Sequence, residues 1–142
     1  MKRSACFLSV AFTLLLSGCN ALPPGATANA PLPSLQGAVW VVEDIDGAAV
    51  LDGSRASLNL GSDGRVSGSG SCNSYTGPYT LSGDSLTFGN LASTRRACEP
   101  ALMQQEQRFF AALAKVRRFE FAPDGALLLR GEPGGAIRAR RS

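Results

Sequence analysis

Only one stretch of this chain repeats its apolar residues at helical spacing. Between Glu99 and Val116, the residues Leu102, Phe109, Leu113 and Val116 fall on one helical face, with Met103 and Phe110 beside them. Pro100 suits a first helical turn, where its missing N–H costs nothing. Glu99 stands at the positive end of that helix's dipole, and Lys115 and Arg117 at the negative end. Every other apolar run is short and is interrupted by Gly, Asp or Ser. A lone amphipathic helix must lay its stripe against something, and the rest of the chain offers only strands. The fold class that follows is α+β: a curved antiparallel β-sheet or partial barrel of about 7–8 short strands, wrapped around one α-helix at about residues 99–116.

The strands are read from period-two patterns and turn residues. Val39 to Ile45 is a β-branched run carrying Trp40 and stopped by Asp46-Gly47. In Ala56 to Leu60, the residues Ala56, Leu58 and Leu60 face one way and Ser57 and Asn59 the other. Gly61 to Gly64 turns the chain so that Arg65 to Ser69 pairs back. Tyr79 to Leu81 and Leu86 to Phe88 flank a hairpin at Ser82 to Ser85. After the helix, Arg118 to Phe121, Ala126 to Arg130 and Ala136 to Arg140 form three more short strands. In the last of these, Ile137 and Ala139 share one face and Arg138 and Arg140 the other. Phe109 and Phe110 read as core.

The start of the chain reads as a targeting segment. Lys2 and Arg3 precede an uncharged, mostly apolar run from Ala5 to Leu16, too short to span a bilayer. Leu16-Ser17-Gly18-Cys19 resembles the lipobox of bacterial lipoproteins. That resemblance implies cleavage before Cys19, lipidation of the Cys19 thiol and attachment to the membrane through the lipid. Asn20 is not the aspartate that holds some lipoproteins at the inner membrane, so an outer-membrane position facing the periplasm is expected. Asn20 to Pro33 has four prolines and no charge, and reads as an extended tether. The expected organisation is residues 1–18 signal peptide, 19–34 lipidated cysteine and tether, and 35–142 folded domain. Loss of the first 18 of 142 residues takes away two of the 14 basic side chains, leaving 12 against 11 acidic ones. A near-neutral chain with no basic stripe gives nucleic-acid binding no support.

Gly68 to Tyr79, GSGSCNSYTGPY, is the richest candidate for chemistry. The chain has no histidine, which removes His bases, His-activated nucleophiles and His metal ligands. A zinc site would need about four ligands, and no CxxC is present. The glycines lack the lysine of a Walker loop and the strand–loop–helix setting of a dinucleotide fingerprint. Gly68 and Gly70 are better read as a bulge or bend where backbones approach closely. The carboxylates Glu43, Asp44 and Asp46 sit at a strand end and turn, where solvated acids are ordinary. Once Cys6 leaves with the signal and Cys19 carries lipid, Cys72 and Cys98 remain in an oxidising compartment. A disulfide between them is the expected state, with two free thiols or an exchangeable redox pair as the alternatives. Arg95-Arg96 and Arg117-Arg118 read as solvated basic pairs.

The order of these residues resembles the META domain family, the HslJ-like group of bacterial envelope proteins. The resemblance is carried by Gly68, Cys72-Asn73, Tyr75, Gly77 and Tyr79, then Gly83, Leu86 and Phe88, then Ser93-Thr94 and Cys98, and finally Glu106, Phe109 and Leu113 on the helix. Trp40 and the Asp63 to Gly68 turn-to-strand also fit. Ser71 stands where the family usually has glycine, and Arg96 where methionine is common. The resemblance implies a small antiparallel sheet around a helix. It implies a broad link to heat-shock or envelope stress, and neither cofactor nor catalytic residues. It transfers Cys72 and Cys98 as the motif's paired cysteines, and Asn73, Tyr75, Gly77, Tyr79 and Thr94 as motif positions. The expected function is a non-enzymatic, membrane-anchored envelope lipoprotein, monomeric, that binds a periplasmic protein. A small-ligand (lipid or drug) binding domain is the alternative, and a thiol-redox enzyme using Cys72 and Cys98 a further one.

Overall fold

The computed structural model describes residues 34–133 and 135–142. The expected signal peptide, Cys19 and the tether up to residue 33 lie outside the described residues. The elements run β1 (Val39–Ile45), β2 (Ala48–Ala49), β3 (Ser57–Leu60), β4 (Arg65–Ser69), β5 (Ser74–Ser82), β6 (Ser85–Phe88), β7 (Ala92–Ser93), α1 (Pro100–Lys115), β8 (Val116–Phe121), β9 (Leu127–Gly131) and β10 (Ala136–Arg141). The strands pair in the order β10-β9-β8-β6-β5-β4-β3-β1, and β10 pairs back onto β1. The expected curved sheet is thus a closed eight-stranded antiparallel barrel, with β2 appended to β1 and β7 to β5. Closure leaves no free edge along the ring, which is how a small all-antiparallel sheet avoids edge-to-edge association.

The closing seam sets Val42 against Ala139 and Ile45 against Ile137, with a register shift between Val42 and Asp44. That alternation sends Trp40, Val42 and Ile45 inward beside Ile137 and Ala139. Leu58, Leu60, Val66, Leu86, Leu127 and Leu129 add to the strand contribution with Tyr75, Tyr79 and Val116, and Phe109 and Leu113 bring the helix into the same core. Each such side chain contributes about 1.5–3 kcal/mol on burial. Trp40 keeps its indole N–H satisfied by donating to the Leu35 carbonyl at 3.0 Å, so the segment before β1 is tied down as well. Among the described residues this core comes from 35–139 and the ring closes within 39–141, inside the compact unit Leu32–Ser142.

The helix ends where the sequence expects. Val116 turns to φ −57°, ψ 135°, and the chain passes directly into β8 without a loop. Of the expected aromatic pair, Phe109 is fully buried while Phe110 is only partly so. On the outside of the barrel, Glu43 and Asp124 lie between Arg138 and Arg140. The Ala126 backbone N–H and the two guanidinium groups hold the Asp124 carboxyl below its ordinary range. Glu43 is therefore ion-paired rather than merely solvated. Asp44 accepts from the Gly47 N–H, as turn residues do, whereas Asp46 accepts the Ala136 N–H from the start of β10.

Candidate functional site

Between β4 and β5 the chain leaves the ladder for four residues, Gly70 to Asn73, and lies on the helix. Gly70 is buried, and a Cβ there would stand 2.7 Å from Glu106 Oε2 and 2.9 Å from the Phe110 ring. One strand earlier, a Cβ at Gly68 would strike the Ser57 carbonyl of β3. Both glycines therefore mark close approaches, as expected, though the partner at Gly70 is a side chain of the helix rather than a second strand.

Glu106 receives this loop. One carboxylate oxygen, Oε2, accepts the backbone N–H groups of Cys72 at 3.1 Å and Asn73 at 2.6 Å. The other, Oε1, accepts the Asn73 side-chain amide at 2.7 Å. Asn73 then uses its carbonyl oxygen in the opposite direction. Its Oδ1 accepts the Thr94 hydroxyl at 2.9 Å and the Arg96 backbone N–H at 2.7 Å. A single buried amide thus joins the helix to the otherwise irregular segment Thr94 to Glu99. Thr94 is further held by its own N–H on the Ser74 carbonyl, at 3.0 Å. Asn and Glu suit this, because a side-chain amide carries a donating NH₂ and an accepting oxygen on separate atoms, and a carboxylate has two oxygens to accept three donors.

The Cys72–Cys98 disulfide closes the same assembly, with Cα atoms 5.9 Å apart. It pins the far end of the segment that Asn73 pins near its start. Gln105, one residue from Glu106, builds a second layer. It accepts the Leu51 N–H at 2.7 Å and donates to the hydroxyls of Ser54 at 2.6 Å and Ser71 at 2.9 Å.

Ser71 has a φ of +114°, where glycine is the comfortable residue. That accounts for the departure noted above: the serine accepts backbone strain and returns hydrogen bonds with Gln105 and Ser54. Two variants separate these effects. Ser71→Ala loses the hydroxyl and keeps the strain, whereas Ser71→Gly loses both. We expect Ser71→Ala to be less stable than Ser71→Gly by about 1 kcal/mol in urea unfolding. Arg96, the other departure, enters the assembly through its backbone N–H, and its side chain is exposed. The assembly is therefore indifferent to which side chain occupies that position.

Tyr75, Gly77 and Tyr79 all face inward from β5. Tyr75 donates to the Ser57 carbonyl at 3.0 Å and packs edge-on against Phe109 and Phe110. Burial pushes its phenol well above the ordinary 10.0. Tyr79 donates to the Gly61 carbonyl at 2.5 Å and accepts from Gln36 at 2.6 Å. Gly77 leaves the space that the Asn90-Leu91 segment crosses; a Cβ would come within 2.6 Å of Leu91. Thus Cys72, Cys98, Asn73, Tyr75 and Thr94 converge with the helix around one assembly, Gly77 and Tyr79 belong to the adjoining strand, and Cys19 lies outside the described residues. Gln105 was not singled out from the sequence, and Glu106 only as a position in a motif. The available signal was a carboxylate inside the apolar stripe, four residues after Leu102 and three before Phe109.

Beside this assembly runs a groove of about 260 Å³ between α1 and the sheet. It is lined by Phe88, Leu91, Phe110 and Ala114, with Gly89, Asn90 and Ser93 at its margin. Among the described residues, no group of three His, Cys, Asp or Glu is placed to hold a metal ion.

These features define a class: a small closed α+β barrel whose one helix is fastened to a disulfide-tied loop by a buried carboxylate. A META domain family model matches residues 33–142, and the chain belongs to that family. Two solved structures share the fold. A protein from Burkholderia xenovorans, determined by NMR, has a TM-score of 0.63 and 27% identity, covering 85% of this chain and 99% of its own. A second NMR structure has a TM-score of 0.60 and 25% identity, covering 74% of this chain and 89% of its own. No curated protein matched the chain.

Proposed function

We propose that this META domain protein is a lipid-anchored, non-catalytic binding module of the bacterial envelope. The observation that supports the non-catalytic reading is how the most distinctive loop spends its polar groups. Asn73, Gln105, Glu106, Thr94 and the Cys72 and Asn73 N–H groups all bond to one another or to neighbouring backbone. A catalytic group must keep an atom free for substrate, and this loop is arranged as a fastening instead. The anchor rests on Leu16-Ser17-Gly18-Cys19, and the tether of Asn20 to Pro33 would carry the domain clear of the membrane surface.

Fractionation tests the anchor. The wild-type chain is expected in the membrane fraction carrying a diacylglycerol adduct on Cys19. Cys19→Ala should abolish the adduct by mass and remove the anchor. Unchanged adduct mass in Cys19→Ala would count against lipidation at this residue, and detergent-only release of a lipid-free, signal-cleaved chain would count against the lipid as the anchor. The redox alternative has its own check, since an exchangeable pair would equilibrate with glutathione while the folded barrel stayed intact.

A further inference from the structure

We propose that the groove between α1 and the β6–β7 segment binds a single-chain amphiphile with an acidic head, of the size and polarity of a medium-chain fatty acid. The proposal deepens the binding-module reading above. The groove's walls are apolar: Phe88 from β6, Leu91 from the connection to β7, and Phe110 and Ala114 from the helix. All but Ala114 are half-buried hydrophobic side chains that the core leaves incompletely covered. The volume of about 260 Å³ exceeds the roughly 150 Å³ cavity that accepts benzene, so it suits a short alkyl chain or one to two rings rather than a full lipid.

From the groove the chain runs into a basic segment. Ser93 lines the groove and leads directly into Thr94-Arg95-Arg96. Both arginines are exposed, and neither enters an ion pair among the described residues. Arg95 is two residues beyond Ser93, a span of about 7 Å, within an arginine side chain's reach of the margin. The segment that carries these cations is held by the Asn73 amide, the Thr94 N–H and the Cys72–Cys98 bond. Two guanidinium groups without an ion-pair partner among the described residues therefore stand on a fastened segment that continues from the groove's Ser93. An acid head near the arginines and an apolar body in the slot satisfy both halves, whereas a neutral alkane or a small inorganic anion satisfies one.

The test uses the chain from Asn20 to Ser142, which holds the closed barrel and the compact unit around it, with decanoate and decanol as probes in NMR titrations. Decanoate is expected to shift the amide signals of Leu91, Phe110 and Ala114 together with those of Arg95 and Arg96. Ala114→Phe fills the slot from an exposed helical position and should weaken decanoate at least about tenfold. Arg95→Gln with Arg96→Gln should weaken decanoate about tenfold and leave decanol unchanged. Equal affinity for decanoate and decanol would overturn the acid-head assignment. Shifts confined to Arg95 and Arg96, insensitive to Ala114→Phe, would overturn the groove and leave a surface anion site. An absence of shifts with both probes would remove the amphiphile altogether. None of these failures touches the anchored module, which stands or falls with Cys19.

Discussion

Replacing both cysteines, as Cys72→Ala with Cys98→Ala, is expected to lower the unfolding free energy by about 3–4 kcal/mol. The bond spans 26 positions, and in the chain-entropy account closing a loop of that size restricts the unfolded chain by this amount. For a domain of this size, that is a large share of the 5–15 kcal/mol typical of folded proteins. Urea unfolding of the oxidised chain and the double variant measures it. The same experiment separates a structural bond from a catalytic one. A structural bond predicts a lower midpoint with the barrel's circular dichroism retained in buffer. A variant as stable as the oxidised chain would show that the cross-link does not hold the fold together.

Substitution of Glu106 is the second large effect. Glu106→Ala leaves the Cys72 N–H, the Asn73 N–H and the Asn73 side-chain amide without their acceptor in a buried setting. Each unsatisfied donor costs about 1–3 kcal/mol. Partial relaxation and entry of water offset some of this, and we expect a loss of about 3–5 kcal/mol in all. Glu106→Gln is the sharper variant because its shape is nearly unchanged. If the glutamine oxygen faces the two backbone donors, its own NH₂ faces the Asn73 amide. Turning Asn73 over would cure that clash but strip the Thr94 hydroxyl and Arg96 N–H of their acceptor. No arrangement satisfies every group, so Glu106→Gln should cost about 2 kcal/mol. A Glu106→Gln chain as stable as the wild type would refute the fastening role. Because the disulfide and Glu106 hold the same loop, their effects should not add; a double-mutant cycle is expected to show coupling of about 1 kcal/mol or more.

Much of the architecture was legible in the sequence because it follows from patterns that local chemistry dictates. The helix expected at 99–116 is Pro100–Lys115, since its apolar spacing and its proline both act within a turn or two. The alternation at Leu58 and Leu60, and at Ile137 and Ala139, placed those residues inward correctly. Closure of the sheet was not legible. It depends on Val39–Ile45 meeting Ala136–Arg141, a pairing of distant strands whose register no local pattern encodes. The two appended strands β2 and β7 were also missed; at two residues each, they carry no period to read. The roles of Asn73 and Thr94 stayed open for the same reason. Thr94 meets Asn73 across 21 positions, and Asn73 meets Glu106 across 33. A carboxylate in an apolar stripe announces that something must meet it, but not what.

The meeting of the first and last barrel strands has a consequence for how the protein is made. Ala136–Arg141 is the last of the barrel strands along the chain, so during synthesis Val39–Ile45 has one side unpaired until every other barrel strand has been made. An open strand edge of that kind is a template for pairing with other chains. The ring therefore cannot close until that strand is available, however early its first partner has formed.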